Sequence, residues 1–400
     1  MPLEIVAPRS RGFLFINSHP AGCAAMVSQQ IELARASRPA NAGGDCALVI
    51  GASTGYGLAS RIACAFGHEM KTVGVFYERP PAGKKTATAG WYNTAAFHQA
   101  AQAQGLPSAN FNGDAFSNQI KSQVVERLRG GIGPIDLLVY SLASPVRVHP
   151  DTGETLRSVL KPVGQAYTTK TIDLDKEQVT EMTIEPAAKE EMDQTVAVMG
   201  GDDLRRWVDV LLEAKLFADA AKLVAYSYIG PEMTWPIYRS GAIGLAKLDL
   251  ERSAAEIDRK LQARISGRAW VSVNKAVVTQ ASAAIPGVPL YLSLLHPALT
   301  SRGLEEYPID QALRLLKDHL ADDATPKFDA AGRIRLDDRE MREDVQAEIA
   351  QRWERITTES LRADADFDGF KTDFRRLFGF EVKGVDYSRP VETEVALELG

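Results

Sequence analysis

The 400-residue chain has little cysteine, no long apolar run and no excess of positive charge, and each shortage removes a class of function. Its three cysteines, Cys23, Cys46 and Cys64, lack metal-ligand spacing and sit among apolar or small residues. They are expected as reduced, packed thiols, with no metal bound. No stretch of 18 apolar residues occurs, and no apolar segment with a cleavage signal opens the chain, so stable membrane insertion is not expected and the expected location is the cytoplasm. Net charge is −6 with acids and bases interspersed, which leaves no basic face for nucleic acid. Gly-Lys-Ser/Thr is also missing, so a Walker-type phosphate loop is excluded. What is present is apolar material, 45% of the residues, enough for a large core in one big domain or in two sharing a cleft.

The densest signal runs from Asp45 to Glu78: a short apolar strand, a glycine-rich turn, a helix and a second apolar strand ending on an acid. In Gly51-Ala52-Ser53-Thr54-Gly55-Tyr56-Gly57 the glycines take the first, fifth and seventh positions, which is not the G-x-G-x-x-G form. Gly51 falls where the strand must turn sharply, Gly55 where backbone must approach a pyrophosphate, and Gly57 where the helix must start tight against the sheet. Unpaired N–H groups at the helix start then face the phosphates. Glu78 at the end of the second strand suits the two ribose hydroxyls of the adenosine and repels a 2′-phosphate, so NADH is expected rather than NADPH. Arg79 and Lys84-Lys85 follow closely and offer a phosphate some compensation.

Around this unit the chain reads as a Rossmann-like, doubly wound parallel sheet. Ile5-Val-Ala and Gly12 to Ile16 suggest an N-terminal hairpin beside the sheet, and a helix over about 24–35 follows a turn in which His19 is expected to cap. Ser108 to Ala115 reads as a strand whose end brings Asp114 and Ala115 to an adenine edge. Ile120, Val124, Val125 and Leu128 form a helical stripe. Ile135 to Ser144 is the next buried strand, and Ser141-Leu142-Ala143-Ser144 passes the position of the nicotinamide ribose. Between 145 and 199 the rhythm breaks into polar, alternating segments, too long for an ordinary connection and well placed to cover a substrate. A helix from Asp203 to Phe217, a strand from Lys222 to Gly230, a helix entered at Pro236 and a strand from Ala269 restore it. Residues 300–400 read as a charged, mostly helical extension, with stripes Leu313, Leu316, Leu320 and Met341, Val345, Ile349, Trp353. One large domain over 1–400 is expected.

A bound nicotinamide leaves the protein to place a substrate, polarise a carbonyl and manage one proton. A tyrosine suits the last two tasks, and a nearby ammonium would lower its pKa. Tyr228 stands at a strand end, with Tyr226 as its possible neighbour on the same strand face. Tyr238 enters the helix that carries Lys247. Nine residues of straight helix would put Tyr238 and Lys247 on opposite faces, so they meet only if Tyr238 precedes the regular helix, which Pro236 and Gly241 allow. Ile285, Val288 and the run Leu290 to Leu295 suggest a wall for an apolar chain.

Three stretches together carry a resemblance: Gly51 to Gly57, the Tyr-x8-Lys arrangement of Tyr238 and Lys247, and Val271 to Ser282. The chain resembles the trans-2-enoyl-CoA or enoyl-acyl-carrier-protein reductases of the large FabV type over essentially its whole length. The common short-chain dehydrogenases carry Tyr-x3-Lys instead. The resemblance implies an enlarged short-chain-dehydrogenase-like fold and NADH-dependent reduction of the 2,3 double bond of an enoyl thioester, on acyl carrier protein or coenzyme A, in fatty acid biosynthesis. Hydride would go to C3 and a proton to C2, with Tyr238 as donor, Lys247 binding the cofactor beside it and Tyr228 contacting substrate. It also implies cofactor contacts at Gly51, Ala52, Ser53, Thr54, Gly55, Tyr56, Tyr77, Glu78, Asp114, Ala115, Leu142, Ala143, Val277, Val278 and Thr279, and a monomer. Many members carry Phe where this chain has Tyr77. The alternatives are a short-chain-type ketoreductase or alcohol dehydrogenase, and a nucleotide sensor without turnover.

Overall fold

The computed structural model describes residues 3–11, 14–39, 46–83 and 85–400. Seven parallel strands make the central sheet: β1 Cys46–Ile50, β2 Lys71–Phe76, β3 Ser108–Asn112, β4 Ile135–Tyr140, β5 Phe217–Ser227, β6 Arg268–Val273 and β7 Ile334–Arg335. Their spatial order is β7-β6-β5-β4-β1-β2-β3. The order reverses between β1 and β4, and in such sheets the crevice beyond the carboxyl ends of these two strands receives ligands. The Rossmann-like sheet expected from the sequence is therefore present, enlarged by one short edge strand.

The strands are continuous apolar runs because helices cover both faces. All five residues of β1 are buried. Leu48, Ile50, Leu138 and Leu223 point to the layer of Trp207, while Ala47, Val49, Leu137 and Val224 point to the layer of Ile62, Phe66 and Phe97. The helices that matter for the site are α1 Pro20–Ala36, α2 Gly55–Ile62, α3 Ala89–Ala103, α4 Asn118–Arg127, α5 Asp202–Glu213, α6 Ala242–Ile265, α7 Val288–Thr300 and α8 Glu343–Arg355. In α5 the expected stripe Leu204, Trp207, Val208, Leu211 and Leu212 is buried. The helix stops short of Phe217, which opens β5, because Lys215 turns the chain through the left-handed region at φ 55°.

Several boundaries differ from expectation. Leu3–Glu4, rather than Ile5-Val-Ala, is the first strand, and it pairs with Val391–Glu392. Ser10–Arg11 and Leu14–Phe15 form a separate two-stranded hairpin, while Gly12 and Phe13 lie outside the described residues, as do Asp45 and Lys84. The 145–199 stretch holds two hairpins, Val146–Val148 with Thr155–Arg157 and Tyr167–Asp173 with Gln178–Ile184, and then a helix, Lys189–Met199. The second hairpin carries the alternation seen in the sequence. The C-terminal stretch is mostly helical up to Arg376; its strands among the described residues are β7, whose two residues are too few for a periodic signal, and Val391–Glu392.

The chain's last residues run over α3 and the outer edge of β3. Trp91 Nε1 donates to the Val395 carbonyl at 2.9 Å, the Tyr92 hydroxyl to that of Thr393 at 2.7 Å, and the Gly400 N–H to that of Asn110 at 2.8 Å. This covers an edge that would otherwise be open to pairing. The three cysteines are buried and form no disulfide, as expected. His19 caps α1, accepting from the Gly22 N–H at 3.1 Å, which is the role expected of it. Among the described residues no helix is long and apolar enough to cross a membrane.

Candidate active site

The glycine-rich turn joins β1 to α2. Gly51 holds φ 87°, and a Cβ on it would lie 2.2 Å from the Ser141 carbonyl oxygen at the end of β4. A Cβ on Gly57 would lie 1.9 Å from the Gly51 carbonyl, so α2 can start only this close to the turn without a side chain there. Gly55 is the open one: the nearest atom to a Cβ there is Thr279 Cγ2, at 3.9 Å. Turn, open backbone and helix packing thus fall on Gly51, Gly55 and Gly57, in the order read from the sequence. Thr279 is thus the nearest neighbour of the open backbone at the start of α2.

Glu78 follows β2, and its Oε1 accepts from the Ser53 hydroxyl at 2.7 Å. Its backbone is clamped by Asn112, which accepts from the Glu78 N–H at 2.8 Å and donates to its carbonyl at 2.9 Å. Burial raises the carboxyl pKa, against the hydrogen bonds of Thr88 and Ser53 that lower it. At the end of β3 the Ala115 carbonyl accepts from Lys121 Nζ at 2.8 Å and Trp207 Nε1 at 3.2 Å, while Asp114 Oδ1 accepts from the Phe116 N–H at 2.9 Å. Lys121 is in turn paired with buried Asp203 at 2.7 Å, and the Tyr140 hydroxyl donates to the same carboxylate at 3.0 Å. The Asp114–Ala115 backbone is thereby fixed from below. Tyr77 is 80% exposed. Tyr56 turns its hydroxyl to the Lys275 carbonyl at 2.7 Å, binding α2 to the loop after β6. In that loop Thr279 caps a short helix, Gln280–Ala283, by accepting from the Ser282 N–H at 3.0 Å.

The tyrosines gather beyond β5. Tyr228 and Tyr238 meet edge to face, ring centroids 4.7 Å apart at 85°. Tyr238 ends a short helix, Trp235–Tyr238, and α6 begins afresh after Gly241, so Tyr238 does precede the helix that carries Lys247. Tyr226 is not the neighbour of Tyr228. Its hydroxyl shares a 2.6 Å hydrogen bond with Ser60 of α2 and its ring meets Tyr56, because β5 ends at Ser227 and the chain turns before Tyr228.

Fully buried Glu340 underlies Tyr228. Its Oε1 accepts from the Tyr228 hydroxyl at 3.0 Å and from the Tyr291 hydroxyl at 2.7 Å, and its Oε2 from the Ala276 N–H at 2.7 Å. Burial raises the Glu340 pKa, against Tyr291, Ala276 and the charge of Lys275. Burial, then the Glu340 charge, also raises both Tyr228 and Tyr238. The lowered phenol pKa expected from a neighbouring ammonium is therefore not found, and both tyrosines hold their protons at neutral pH. Burial pushes the Lys247 ammonium down to about 8, the Glu251 charge opposing it. Among the described residues neither the Tyr238 hydroxyl nor Lys247 has a hydrogen-bond partner in the protein.

A cleft of about 690 Å³ opens beside the turn, lined by Thr54, Gly55, Glu78 and Val277 to Thr279 on one side and by Leu292 and Leu295 of α7 on the other. Tyr77, Asp114, Ala115, Leu142, Ala143 and the two tyrosines lie outside it. Tyr238 instead borders a small hollow with Tyr167 and Thr169 of the second hairpin, Val288 and Trp353. The 145–199 stretch thus reaches the tyrosine side. Of the apolar run, Leu290 and Leu294 are closed in the core, and only part of it meets the cleft.

Sequence reasoning missed Glu340 and the role of Tyr291. Glu340 sits in the charged run Asp337 to Asp344, which reads as a solvated face. Tyr291 had a usable signal, since a phenol inside an aliphatic run needs a buried partner.

Three family models match the chain. They are described as the trans-2-enoyl-CoA reductase catalytic region over residues 85–321, the NAD(P)H-binding domain of trans-2-enoyl-CoA reductase over 5–83, and an enoyl reductase FAD-binding domain over 328–391. Residues 328–391 include β7, α8 and the short helices Leu361–Asp364 and Phe367–Arg376, with no glycine-rich strand-to-helix turn. An enoyl-acyl-carrier-protein reductase (NADH) of Opitutus terrae is 51% identical over 98% of this chain and 100% of its own length. One from Coxiella burnetii is 50% identical, covering 98% and 97%. The crystal structure of Treponema denticola trans-2-enoyl-CoA reductase with NAD superposes with a TM-score of 0.94 at 43% identity, covering 98% of this chain and 100% of that one. That of the Clostridium acetobutulicum trans-2-enoyl-CoA reductase with NADH gives 0.94 at 40%, covering 98% of each.

Proposed function

The chain belongs to the trans-2-enoyl-CoA reductase family, and from that membership and the site's geometry we propose that it reduces the 2,3 double bond of enoyl thioesters with NADH in fatty acid biosynthesis. The thioester is carried on coenzyme A or on acyl carrier protein. NADH bound at the turn supplies the hydride, which goes to C3. The protein's own residues do the rest. Gly55 and the N-terminus of α2 hold the diphosphate, with Thr279 opposite, and Gly51 to Tyr56 form the turn that presents them. Glu78 takes the adenosine ribose, Tyr77, Asp114 and Ala115 border the adenine, and Leu142, Ala143, Val277 and Val278 flank the nicotinamide end. Lys247 donates to the nicotinamide ribose.

The observation that carries the reading is the Tyr238 hydroxyl: protonated, beside Tyr228, and without a protein partner among the described residues. It can donate to the thioester oxygen as enolate charge develops and then supply the proton to C2. Tyr228 orients the substrate. The second hairpin of 145–199 stands over the tyrosine side as a cover, and 300–400 packs on the same domain. The tail over β3 supports a monomer as the working form, and the packed thiols support the cytoplasm as its location. The test is NADH consumption with crotonyl and with acetoacetyl thioesters. Oxidation with crotonyl thioester alone is expected, whereas oxidation with acetoacetyl thioester alone would make the chain a ketoreductase.

A further inference from the structure

Resting on that reading, we propose that Glu340 is a positioning residue that decides which of the two phenols can donate. The argument is a count of protons. A phenol has one proton to give and two lone pairs to receive with. An ionised Glu340 has none to give, and here it takes one from each of Tyr228, Tyr291 and the Ala276 N–H. The Tyr228 proton is thus directed into the core, 3.0 Å from Oε1, and the face of Tyr228 left to a substrate can only accept. Tyr238 touches Tyr228 edge to face but among the described residues has no such acceptor, so its proton stays free. Two tyrosines of similar exposure and position are in this way made chemically unlike by one fully buried carboxylate. The same carboxylate holds the Ala276 N–H, next to Val277, so the orientation of Tyr228 and the height of the cofactor loop are fixed together.

The substitution Glu340→Gln reverses the count with little change of shape. The Ala276 N–H still needs an acceptor, so the amide oxygen must turn to it, and the amide NH2 must face the phenols. Tyr228 then receives from residue 340, and its own proton is released toward the substrate. Tyr291, which already accepts from Gln346 Nε2 at 3.1 Å, is left with a proton and no acceptor. Adding Tyr291→Phe removes that proton, and Gln346 keeps its other acceptor, the residue 340 carbonyl at 2.7 Å.

The experiment is single-turnover NADH oxidation with crotonyl thioester by Tyr238→Phe alone, by Tyr238→Phe with Glu340→Gln, and by the triple variant with Tyr291→Phe. A structural role for Glu340 can only slow Tyr238→Phe further. Control of the donor predicts the opposite, a rate recovered by about ten-fold or more as Tyr228 takes over the task. If the double variant folds poorly, the triple variant decides on the same criterion. Failure of both to exceed Tyr238→Phe, while the parent chain reduces crotonyl thioester normally, overturns the role of Glu340 and leaves the proposed function standing. Failure of the parent chain to use crotonyl thioester overturns the function instead.

Discussion

Between Cys46 and Ala143 the residues proposed for the cofactor follow one another at the ends of β1, β2, β3 and β4, each set within a few residues of its strand. Around Tyr228 the site is assembled differently: Tyr238 comes from a short helix, Tyr291 from α7, Ala276 from the loop after β6, and Glu340 from beyond β7. In the proposed function the first half would bind through backbone N–H groups and the Glu78 carboxylate, and its geometry follows from where strands stop. The second half would act through side-chain protons, and its geometry depends on a buried carboxylate. Loss of one side chain should therefore change turnover little in the first half and most at the tyrosines.

The largest effect is expected at Tyr238. Tyr238→Phe keeps the ring against Tyr228 but removes the donor, and turnover with crotonyl thioester should fall by about 10²–10⁴-fold while NADH affinity, read by fluorescence titration, stays near the parent value. A rate within threefold of the parent would transfer the donor role to Tyr228.

Next is the scaffold beneath the adenine position. Lys121→Met leaves Asp203 charged, buried and short of its partner, and should cost about 3–5 kcal/mol of stability by denaturant titration. It should also raise the KM for NADH with kcat nearly unchanged, since the Ala115 carbonyl loses a donor. A lowered kcat with unchanged KM would contradict that division.

A smaller change is expected at Glu78. Glu78→Ala should narrow the preference for NADH over NADPH by about ten-fold, equivalent to about 1.4 kcal/mol, by relieving repulsion of the 2′-phosphate. An unchanged ratio of specificity constants would remove Glu78 from the ribose pocket.

The mildest test concerns Lys247, whose ammonium burial pushes down to about 8. Below that pH the positive charge is present and above it is lost, so NADH affinity should weaken as pH rises through about 8. Lys247→Met should bind NADH more weakly and flatten the profile. A profile that persists in the variant would assign the titration to another group.

The contrast between the halves also explains what could be read from sequence. The first half was legible because each signal is local: five apolar residues in β1, a turn that needs Gly51 and Gly57, an acid at the end of β2. The break before α6 was legible for the same reason, from Pro236 and Gly241. Glu340 was not, because a lone acid in a charged run carries no mark of burial, and its partners lie 112, 49 and 64 residues away. Tyr226 was misjudged because β5 ends at Ser227 rather than at the expected Gly230, so Tyr228 lies past the strand and does not share its face with Tyr226. β7 is two residues long, and its burial comes from β6 rather than from its own pattern.

The central claim is that a carbon–carbon double bond, not a carbonyl, receives the hydride. It is tested most directly by reacting crotonyl thioester with NADH deuterated at the transferring C4 position and locating the label in the product. Deuterium at C3 of a saturated butyryl thioester is the expected result, with C2 taking its hydrogen from solvent. An unlabelled butyryl product, or label at C1 of an unsaturated aldehyde formed with release of the thiol, would contradict it.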